Sequence, residues 1–535
     1  MKKKIIRIIL ICILLIVVPV LSAAETMNYE MRMNINRGYI KIGWIENDKL
    51  TASDGASFDF FGECVSIDGD YAIIGAWLDD DNGEDCGSAY IFKRTGINWT
   101  QQAKLIASDG EPGDHFGCSV SIDGDYAIVG AWLDDDNGGD CGSAYIFKRN
   151  GINWTQQAKL TASDGSVNFG RSVSIDGDYA IIGAHGDNGF TGAAYIFKRI
   201  GTAWTEEAKL IASDGEKIDC FGRSVSIDGE YAVIGAYVAG SAYIFKRNGT
   251  IWTQQAKMTG IENSFAFSVS IYGDYAIIGD YVINDHKGMA YIFKRNGTTW
   301  SEEAKLTASD GEEFDKFGCS VSIDEGYAIV GAECDDDNGD YSGSAYIFKR
   351  NGTTWSEEAK LTASDGEKLE FFGKSVSIDG EYAIIGASSD DENGEDSGSA
   401  YVFKRNQPPN APTITGPSSG KVGVEYQYIF SLSDSDDDPM YLRVDWGNGI
   451  PGPWQGPYDS DTIVKLNHTW NQQGNFTIRA QAKDVYDVES EWGTLDVTIP
   501  KNKQSVNTFF KNRLSVMFLE FRPHAFPIIR QMLGI

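Results

Sequence analysis

The sequence predicts an all-β protein in which a seven-bladed β-propeller with four-stranded blades precedes a small C-terminal β-sandwich. Three observations support this prediction: an internal repeat of 44 to 55 residues, several short apolar segments in every repeat, and 60 glycines among 535 residues. Repeats of this length that each form a few strands are typical of propellers, whose neighbouring blades bury each other's faces.

The repeat is built around the dipeptide Phe-Gly, which is followed fourteen residues later by Gly-Ala. The spacing between the two dipeptides is constant although the repeat length varies, so the variation lies in loops. In the degenerate copy, Ala266 replaces the first glycine and Gly279-Asp280 replaces Gly-Ala. The copies begin at Phe61, Phe116, Phe169, Phe221, Phe265, Phe317 and Phe372.

Each repeat contains four predicted strands. The first two are joined by an Asp-Gly pair, a strong hairpin signal, and the apolar runs are nearly continuous, as in sheets covered on both faces. In the second repeat the four strands are Ser119–Ile122, Tyr126–Ala131, Ala144–Arg149 and a segment from Trp154 to Leu160.

The seventh repeat ends after its third strand, at Arg405. A segment of the fourth-strand type, Trp44 to Leu50, lies instead before the first Phe-Gly. We therefore predict that this N-terminal strand completes the last blade and closes a ring over residues 44–406, which removes exposed strand edges. An open solenoid is the alternative, but it leaves the N-terminal strand without a role.

These repeats resemble the FG-GAP repeats of integrin α-subunit heads and their prokaryotic relatives over residues 44–405. The resemblance implies an extracellular binding propeller that contacts its ligand through the loops of one face. Many family members hold calcium between the Phe-Gly strand and the Gly-Ala strand. Here that position is a turn such as Asp68-Gly69 or Asp123-Gly124, which is too short to surround the ion, so the family's usual calcium site is absent.

On the expected ligand face, the loops between the second and third strands are strongly acidic in four repeats. Carboxylates separated by one residue, with a glycine to bend the chain, suit calcium, although the spacing is not that of an EF-hand. A calcium-binding rim and a solvated acidic rim are both open interpretations. The candidate calcium ligands are Asp79, Asp81, Asp85, Asp134, Asp136, Asp140, Asp335, Asp337 and Asp390.

Five aromatic residues stand at one position, directly after Gly-Ala or its degenerate equivalent. An aromatic ring beside carboxylates is suited to stacking on a sugar ring, so these residues are candidate ligand contacts. The alternative is that Trp77 and Trp132 only pack the mouth of the channel. The five residues are Trp77, Trp132, His185, Tyr237 and Tyr281.

The first 24 residues are typical of an export signal. Four basic residues precede an apolar run over 8–21, and Ser22-Ala23-Ala24 offers the small side chains that a signal peptidase requires. We expect cleavage after Ala24, with an uncleaved anchor over 5–24 as the alternative, and a linker over 25–43. Seven cysteines then remain, and export permits disulfides that would join the loops.

A proline-rich linker over 407–412 precedes residues 413–500, where Trp446-Gly447-Asn448-Gly449 stands where PKD-type Ig-like domains have Phe-Gly-Asp-Gly. The segment resembles such a sandwich, which implies a spacer or adhesive module. Asp434 to Asp438 form either a cation-binding loop or a solvated turn. The tail, 501–535, shows apolar residues at helical spacing and predicts an amphipathic segment. Seven Asn-x-Ser/Thr sequons predict either glycosylation or plain turns.

The function class follows from charge and from what the repeats lack. A net charge of −31 disfavours nucleic acid as a partner. No nucleophile–base pair stands out, so we expect no enzymatic activity. The prediction is an exported, monomeric protein, secreted or on the cell surface, that binds an extracellular protein or glycan. It needs no cofactor, with calcium as a candidate ion, and contacts a membrane only through the signal or the tail. A secreted polysaccharide-acting enzyme and a structural envelope protein are the alternatives.

Overall fold

The computed structural model describes residues 43–136, 138–260 and 264–500. The expected signal over 1–24, most of the expected linker and the expected amphipathic tail lie outside these ranges. The chain divides into two compact units, one over Gly43–Asn406 and one that begins at Gln407. Apart from one helical turn, α1 (Asp187–Phe190), the described elements are strands. The described residues contain no helix that is long and apolar enough to cross a membrane.

The first unit consists of seven four-stranded antiparallel sheets, which confirms the predicted seven blades. The strands of blades 1 to 4 are, in order, β2 (Cys64–Asp68), β3 (Tyr71–Ala76), β4 (Ser88–Thr95) and β5 (Asn98–Leu105); β6 (Phe116–Asp123), β7 (Tyr126–Ala131), β8 (Ser143–Asn150) and β9 (Asn153–Leu160); β10 (Phe169–Asp176), β11 (Tyr179–Ala184), β12 (Ala193–Ile200) and β13 (Ala203–Leu210); β14 (Phe221–Asp228), β15 (Tyr231–Ala236), β16 (Ser241–Asn248) and β17 (Ile251–Thr259).

Blades 5 to 7 follow the same plan. Their strands are β18 (Val269–Tyr272), β19 (Tyr275–Asp280), β20 (Met289–Asn296) and β21 (Thr299–Leu306); β22 (Phe317–Asp324), β23 (Tyr327–Ala332), β24 (Ser344–Asn351) and β25 (Thr354–Leu361); and β26 (Ser375–Asp379), β27 (Tyr382–Ala387) and β28 (Ser399–Asn406), joined by β1 (Gly43–Leu50). All six residues of β3 are buried, as expected for a strand covered on both faces.

The N-terminal strand completes the last blade, as predicted. β1 pairs antiparallel with β28, with Trp44 opposite Arg405 and Leu50 opposite Ala400. Blade 7 also contacts blade 1, because the Ser377 hydroxyl oxygen accepts the Ile67 amide at 3.2 Å. The seven blades therefore form a closed ring.

The Phe-Gly and Gly-Ala dipeptides lie where neighbouring blades touch. Phe61 is fully buried and packs edge-on against Tyr90 and Phe92 of its own blade. A Cβ added to Gly75 would lie 2.0 Å from the carbonyl oxygen of Gly117 in the next blade. No side chain fits such a gap, so the backbone contact itself requires glycine.

The second unit is a β-sandwich, as predicted. Its three-stranded sheet contains β29 (Thr413–Thr415), β30 (Glu425–Ser431) and β33 (Ile463–Thr469), and its four-stranded sheet contains β31 (Met440–Asp445), β32 (Gln455–Tyr458), β34 (Gly474–Asp484) and β35 (Gly493–Ile499). Residues from both sheets, such as Tyr428, Phe430 and Leu442, form one buried core.

The expected disulfides between loops are not formed by six of the cysteines. Cys64, Cys86, Cys118, Cys220, Cys319 and Cys334 each carry a thiol rather than a disulfide. The Cys64 thiol, for example, donates a hydrogen bond to the Gly117 carbonyl at 2.9 Å. These thiols act as small side chains at the seams between blades and along the channel.

Removal of β1 should open the ring. A chain that begins at residue 51 loses the buried side chains of Trp44 and Leu50 and exposes the edge of β28. We expect a loss of about 5 kcal/mol or more in the free energy of unfolding, since each buried large apolar side chain contributes about 2–5 kcal/mol. Urea denaturation measures it, with a chain that begins at residue 43 as the control. Equal stability of the two chains would contradict the closed ring.

Candidate functional site

The acidic loops and the loops that enter the first strands lie on one face of the ring, called here the loop face. Backbone hydrogen bonds link each acidic loop to the entry loop of the next blade. In blade 1, the carbonyls of Asp85 and Cys86 accept the amides of His115 and Phe116 at 3.3 and 2.9 Å. The acidic loops are therefore fixed parts of the seam between blades.

A lysine of the fourth strand occupies the centre of each acidic loop. In blade 1, the Lys104 ammonium lies 3.0 Å from Asp54, 2.9 Å from Asp79 and 2.5 Å from Asp81. The Tyr90 hydroxyl donates a hydrogen bond to Asp79, one of these three carboxylates, at 2.5 Å. We call this arrangement of one lysine, one tyrosine and three carboxylates a lysine cluster.

The lysine cluster recurs in blades 2, 6 and 7. In blade 7 the lysine is Lys49, which comes from the closing strand β1. Blades 3 and 4 keep the lysine with fewer carboxylates, and Lys305 in blade 5 forms an ion pair with Glu302 at 3.8 Å. The other complete clusters are Lys159 with Asp109, Asp134 and Asp136; Lys360 with Asp310, Asp335 and Asp337; and Lys49 with Asp365, Asp390 and Glu392.

The pKa shifts show that the charges within a cluster stabilise each other. Burial alone would lower the pKa of the Lys104 ammonium, but its hydrogen bonds to Asp79, Asp81 and Asp54 outweigh burial and raise that pKa. Burial would raise the pKa of Asp54, but the hydrogen bond from Lys104 outweighs it and lowers that pKa. Burial, followed by the contact with Asp79, raises the pKa of Tyr90, so the phenol remains a donor.

Most of the candidate calcium ligands thus contact a lysine. Asp79, Asp81, Asp134, Asp136, Asp335, Asp337 and Asp390 each belong to a lysine cluster. Asp85 and Asp140 do not; both have a positive φ of 55° and bind the neighbouring entry loop through their carbonyls. The ammonium of each cluster thus lies among its three carboxylates.

Within the described ranges, one group of carboxylates has the geometry of a metal site, and it lies in the sandwich. Oxygens of Asp434, Asp436 and Asp438 all lie within 4.8 Å of one another. The Asp434 carboxylate accepts the Asp436 amide at 2.7 Å, and burial raises its pKa to about 6. For this loop, the sequence was compatible with either a cation-binding loop or a solvated turn.

The five aromatic candidates are half-buried at the ends of the second strands on the loop face, and Tyr281 lines the central cavity. Trp77 packs edge-on against His115 with ring centroids 4.7 Å apart, and the Trp132 ring centroid lies 6.0 Å from that of His115. In blades 4 and 5, the Phe267 ring lies between those of Tyr237 and Tyr281, with centroid distances of 5.8 and 4.7 Å. Each of the five rings thus packs against a neighbouring ring on the loop face.

A second set of residues at this opening was missed by the sequence analysis. The residue after each Phe-Gly, or after Phe-Ala in blade 5, lies at or just before the start of the first strand, and this position differs between blades. With Tyr281, Lys316 and Glu333 these residues line a central cavity of about 350 Å³. Their constant register after Phe-Gly is the signal that could have found them. They are Glu63, Cys118, Arg171, Arg223, Phe267, Cys319 and Lys374.

The lysine clusters should contribute to stability. Lys360→Met leaves Asp335 buried without its ammonium partner, so we expect a loss of about 2 kcal/mol in the free energy of unfolding near neutral pH. Lys305→Met is the matched control, since that lysine has one long contact, and should change stability by less than about 0.5 kcal/mol. Urea denaturation of both variants measures the difference.

The effect of Lys360→Met should vanish in acid. Lys360 lowers the pKa of Asp310, so the stability that this pair contributes is present above the ordinary carboxylate pKa and is lost as pH falls through the lowered one. A loss of stability that is as large at pH 3 as at pH 7 would contradict an electrostatic role for the cluster.

Removal of the charge of a different buried carboxylate, Asp114, should have the opposite effect on the free energy of unfolding. Burial raises the pKa of Asp114 to about 6. A carboxyl whose pKa is raised by folding lowers stability as pH rises from its ordinary pKa through the raised value, and the full loss is present above the raised value. Asp114→Asn keeps an acceptor for the Glu111 amide and should add about 1 kcal/mol at pH 8 but nothing at pH 4.

Asp109→Asn serves as the comparison for Asp114→Asn. The hydrogen bond from Lys159 outweighs burial and lowers the pKa of Asp109, so this variant should be destabilised at pH 8. Thermal denaturation of both variants at the two pH values measures the signs. Stabilisation by Asp109→Asn, or none by Asp114→Asn at pH 8, would contradict the assigned environments.

Comparisons with known proteins found similar solved structures and a matching repeat family. Among solved structures, the chain is similar to the PKD domain of an M14-like peptidase from a Thermoplasmatales archaeon, with 45% identity over 18% of this chain and 99% of that chain and a TM-score of 0.18. It is also similar to a CARDB domain from Pyrococcus furiosus, with 18% identity over 18% of this chain and 96% of that chain and a TM-score of 0.15. No curated protein matches the chain.

The FG-GAP repeat model matches seven segments that together cover more than half of the chain. Each segment begins at the tryptophan of one fourth strand and ends in the next third strand, so the sequence repeat is displaced by one strand from the structural blade. The segments are 44–92, 99–147, 154–197, 204–245, 252–293, 300–348 and 355–403. The chain belongs to the FG-GAP repeat family.

Proposed function

We propose that this protein is an exported, non-catalytic binding protein that holds an extracellular protein or carbohydrate at the channel mouth on its loop face. One observation carries the proposal. The positions after Phe-Gly line the central cavity and, like those after Gly-Ala, differ from blade to blade, whereas the strands beside them are nearly constant. Packing makes the same demand on the strands of every blade, so divergence next to these strands around one cavity favours a ligand there.

The chemistry of the channel supports binding rather than catalysis. Burial raises the pKa of the Cys319 thiol to about 12 and also raises that of Cys118. A thiol nucleophile must ionise near neutral pH, which these environments oppose. The carboxylates of the loop face are largely engaged by lysines, so they are poorly placed to act as general acids or bases.

Export and calcium enter the proposal separately. The export signal expected over 1–24 and the extracellular occurrence of FG-GAP repeats support a secreted or surface location. Because an ammonium already lies among the three carboxylates of each lysine cluster, ligand binding by the propeller should not require calcium. Asp434, Asp436 and Asp438 are the residues that would bind calcium in the sandwich.

Removal of the two tryptophans at the mouth should weaken ligand binding. The full chain is screened on arrays of glycans and extracellular proteins, with calcium and with a chelator. For each ligand found, Trp77→Ala/Trp132→Ala should lower the affinity at least tenfold, because rings at the opening are lost. The control is Phe314→Ala, which removes a 58% exposed ring from a loop that enters blade 6.

Each outcome of this screen is informative. Unchanged binding by the double variant would contradict a ligand at this part of the mouth. Conversion of a bound glycan into product would contradict the non-catalytic assignment and support the polysaccharide-acting alternative. Loss of binding in the chelator would contradict the proposal that the propeller binds without calcium.

A further inference from the structure

Two arginines face the central cavity without an acidic partner. Arg171 in blade 3 and Arg223 in blade 4 occupy the position directly after Phe-Gly, and both line the cavity. Neither forms an ion pair within 4.0 Å with a carboxylate of the described chain. The Arg171 guanidinium instead lies over the Trp132 ring at 5.8 Å, and that of Arg223 over the Phe267 ring at 4.9 Å.

The cavity is basic although the chain is strongly acidic. Its lining contains four cations, Arg171, Arg223, Lys316 and Lys374, but two carboxylates. One of these, Glu333, lies between the two lysines, 2.8 Å from Lys316 and 3.2 Å from Lys374. The other, Glu63, forms no ion pair within 4.0 Å with a cation of the described chain. Its charge nevertheless helps to raise the pKa of Lys374. Two guanidinium groups therefore remain for an external anion.

The two guanidinium groups are close enough to repel each other. Burial, and then the charge of Arg171, lowers the pKa of Arg223. Burial, followed by Arg223 and Arg171, likewise lowers the pKa of the His185 imidazole to about 4, so this ring is neutral and adds no charge. Adjacent like charges in a partly desolvated cavity cost free energy unless an anion lies between them.

We infer that this cavity binds a small carboxylate attached to a six-membered ring, with the carboxylate between Arg171 and Arg223. This inference rests on the proposed function and names its ligand class. Guanidinium groups bind carboxylates through paired hydrogen bonds, and the aromatic rings beside them suit the face of a ring-shaped ligand.

Size and charge restrict the ligand further. A volume of about 350 Å³ is at the lower end for small-molecule sites and accommodates a ligand of one or two rings. The acidic loops of blades 1, 2, 6 and 7 lie along one side of the opening and repel polyanions. A ligand with one carboxylate therefore fits better than an anionic polymer.

The test measures binding to the full chain by isothermal titration calorimetry. The probes are D-glucuronate, benzoate and, as the uncharged analogue of the first, D-glucose. We expect saturable binding of a ring carboxylate and none of glucose. Preference for glucuronate identifies a sugar acid, whereas preference for benzoate identifies an aromatic acid. Absence of saturable binding of both acids would overturn the inference.

Variants assign the binding to the two arginines. Arg171→Gln/Arg223→Gln should lower the affinity for the bound acid at least thirtyfold, since both charged donors are lost. Arg171→Lys/Arg223→Lys keeps the charge without the paired donors and should weaken it severalfold. The control is Lys217→Gln, which removes one positive charge from an exposed position in the loop that enters blade 4. Equal affinity of the glutamine and wild-type proteins would overturn the inference.

The two proposals can fail separately. Circular dichroism shows whether each variant is folded, and the lysine variant remains available if the glutamine variant is not. If a ligand from the array screen binds Arg171→Gln/Arg223→Gln normally but loses affinity in the tryptophan variant, the proposed function stands and the carboxylate site does not. If neither variant affects any ligand, both proposals are wrong.

Discussion

The backbone contact between neighbouring blades determines the rest of the propeller. At each seam a glycine of one blade meets a carbonyl of the next, and at the closing seam a Cβ on Gly386 would lie 1.9 Å from the carbonyl oxygen of Gly62. Because no larger residue fits, the dipeptides Phe-Gly and Gly-Ala keep their spacing in the chain. The residues that follow them are thereby held at fixed points around the channel mouth. Variation at those points changes the chemistry of the opening without changing the fold.

The lysine clusters extend this constraint to the outer part of the loop face. Lys104 joins Asp54 of the preceding entry segment to Asp79 and Asp81 of the acidic loop, so one ammonium fixes two loops. A calcium ion would require six or more oxygens around it, whereas an ammonium needs only three acceptors. In each complete blade the chain's own cation thus holds the acidic loop and the entry loop together.

The periodic features of the sequence predicted the fold. The spacing of Phe-Gly and Gly-Ala gave seven blades, and the displaced strand Trp44 to Leu50 gave ring closure, because both are local patterns that repeat. The lysine clusters were not predicted, since Lys104 lies 50 residues from Asp54 and 23 from Asp81 and meets them only through the packing of the blade. Arg171 and Arg223 were missed because one residue that differs within a repeat resembles ordinary variation until its register places it in the channel.

The closed ring gives the opening two chemically different sides. Blades 6, 7, 1 and 2 are consecutive once the ring is closed, and they carry the complete lysine clusters and the acid-rich loops. Blades 3, 4 and 5 lack complete clusters and contribute Arg171, Arg223 and Phe267 to the cavity. Loss of carboxylates beside the arginines lowers the negative potential through which an anion would have to pass. Both changes favour the approach of an anion from the same side, so the degenerate blades are where a ligand of that charge would enter.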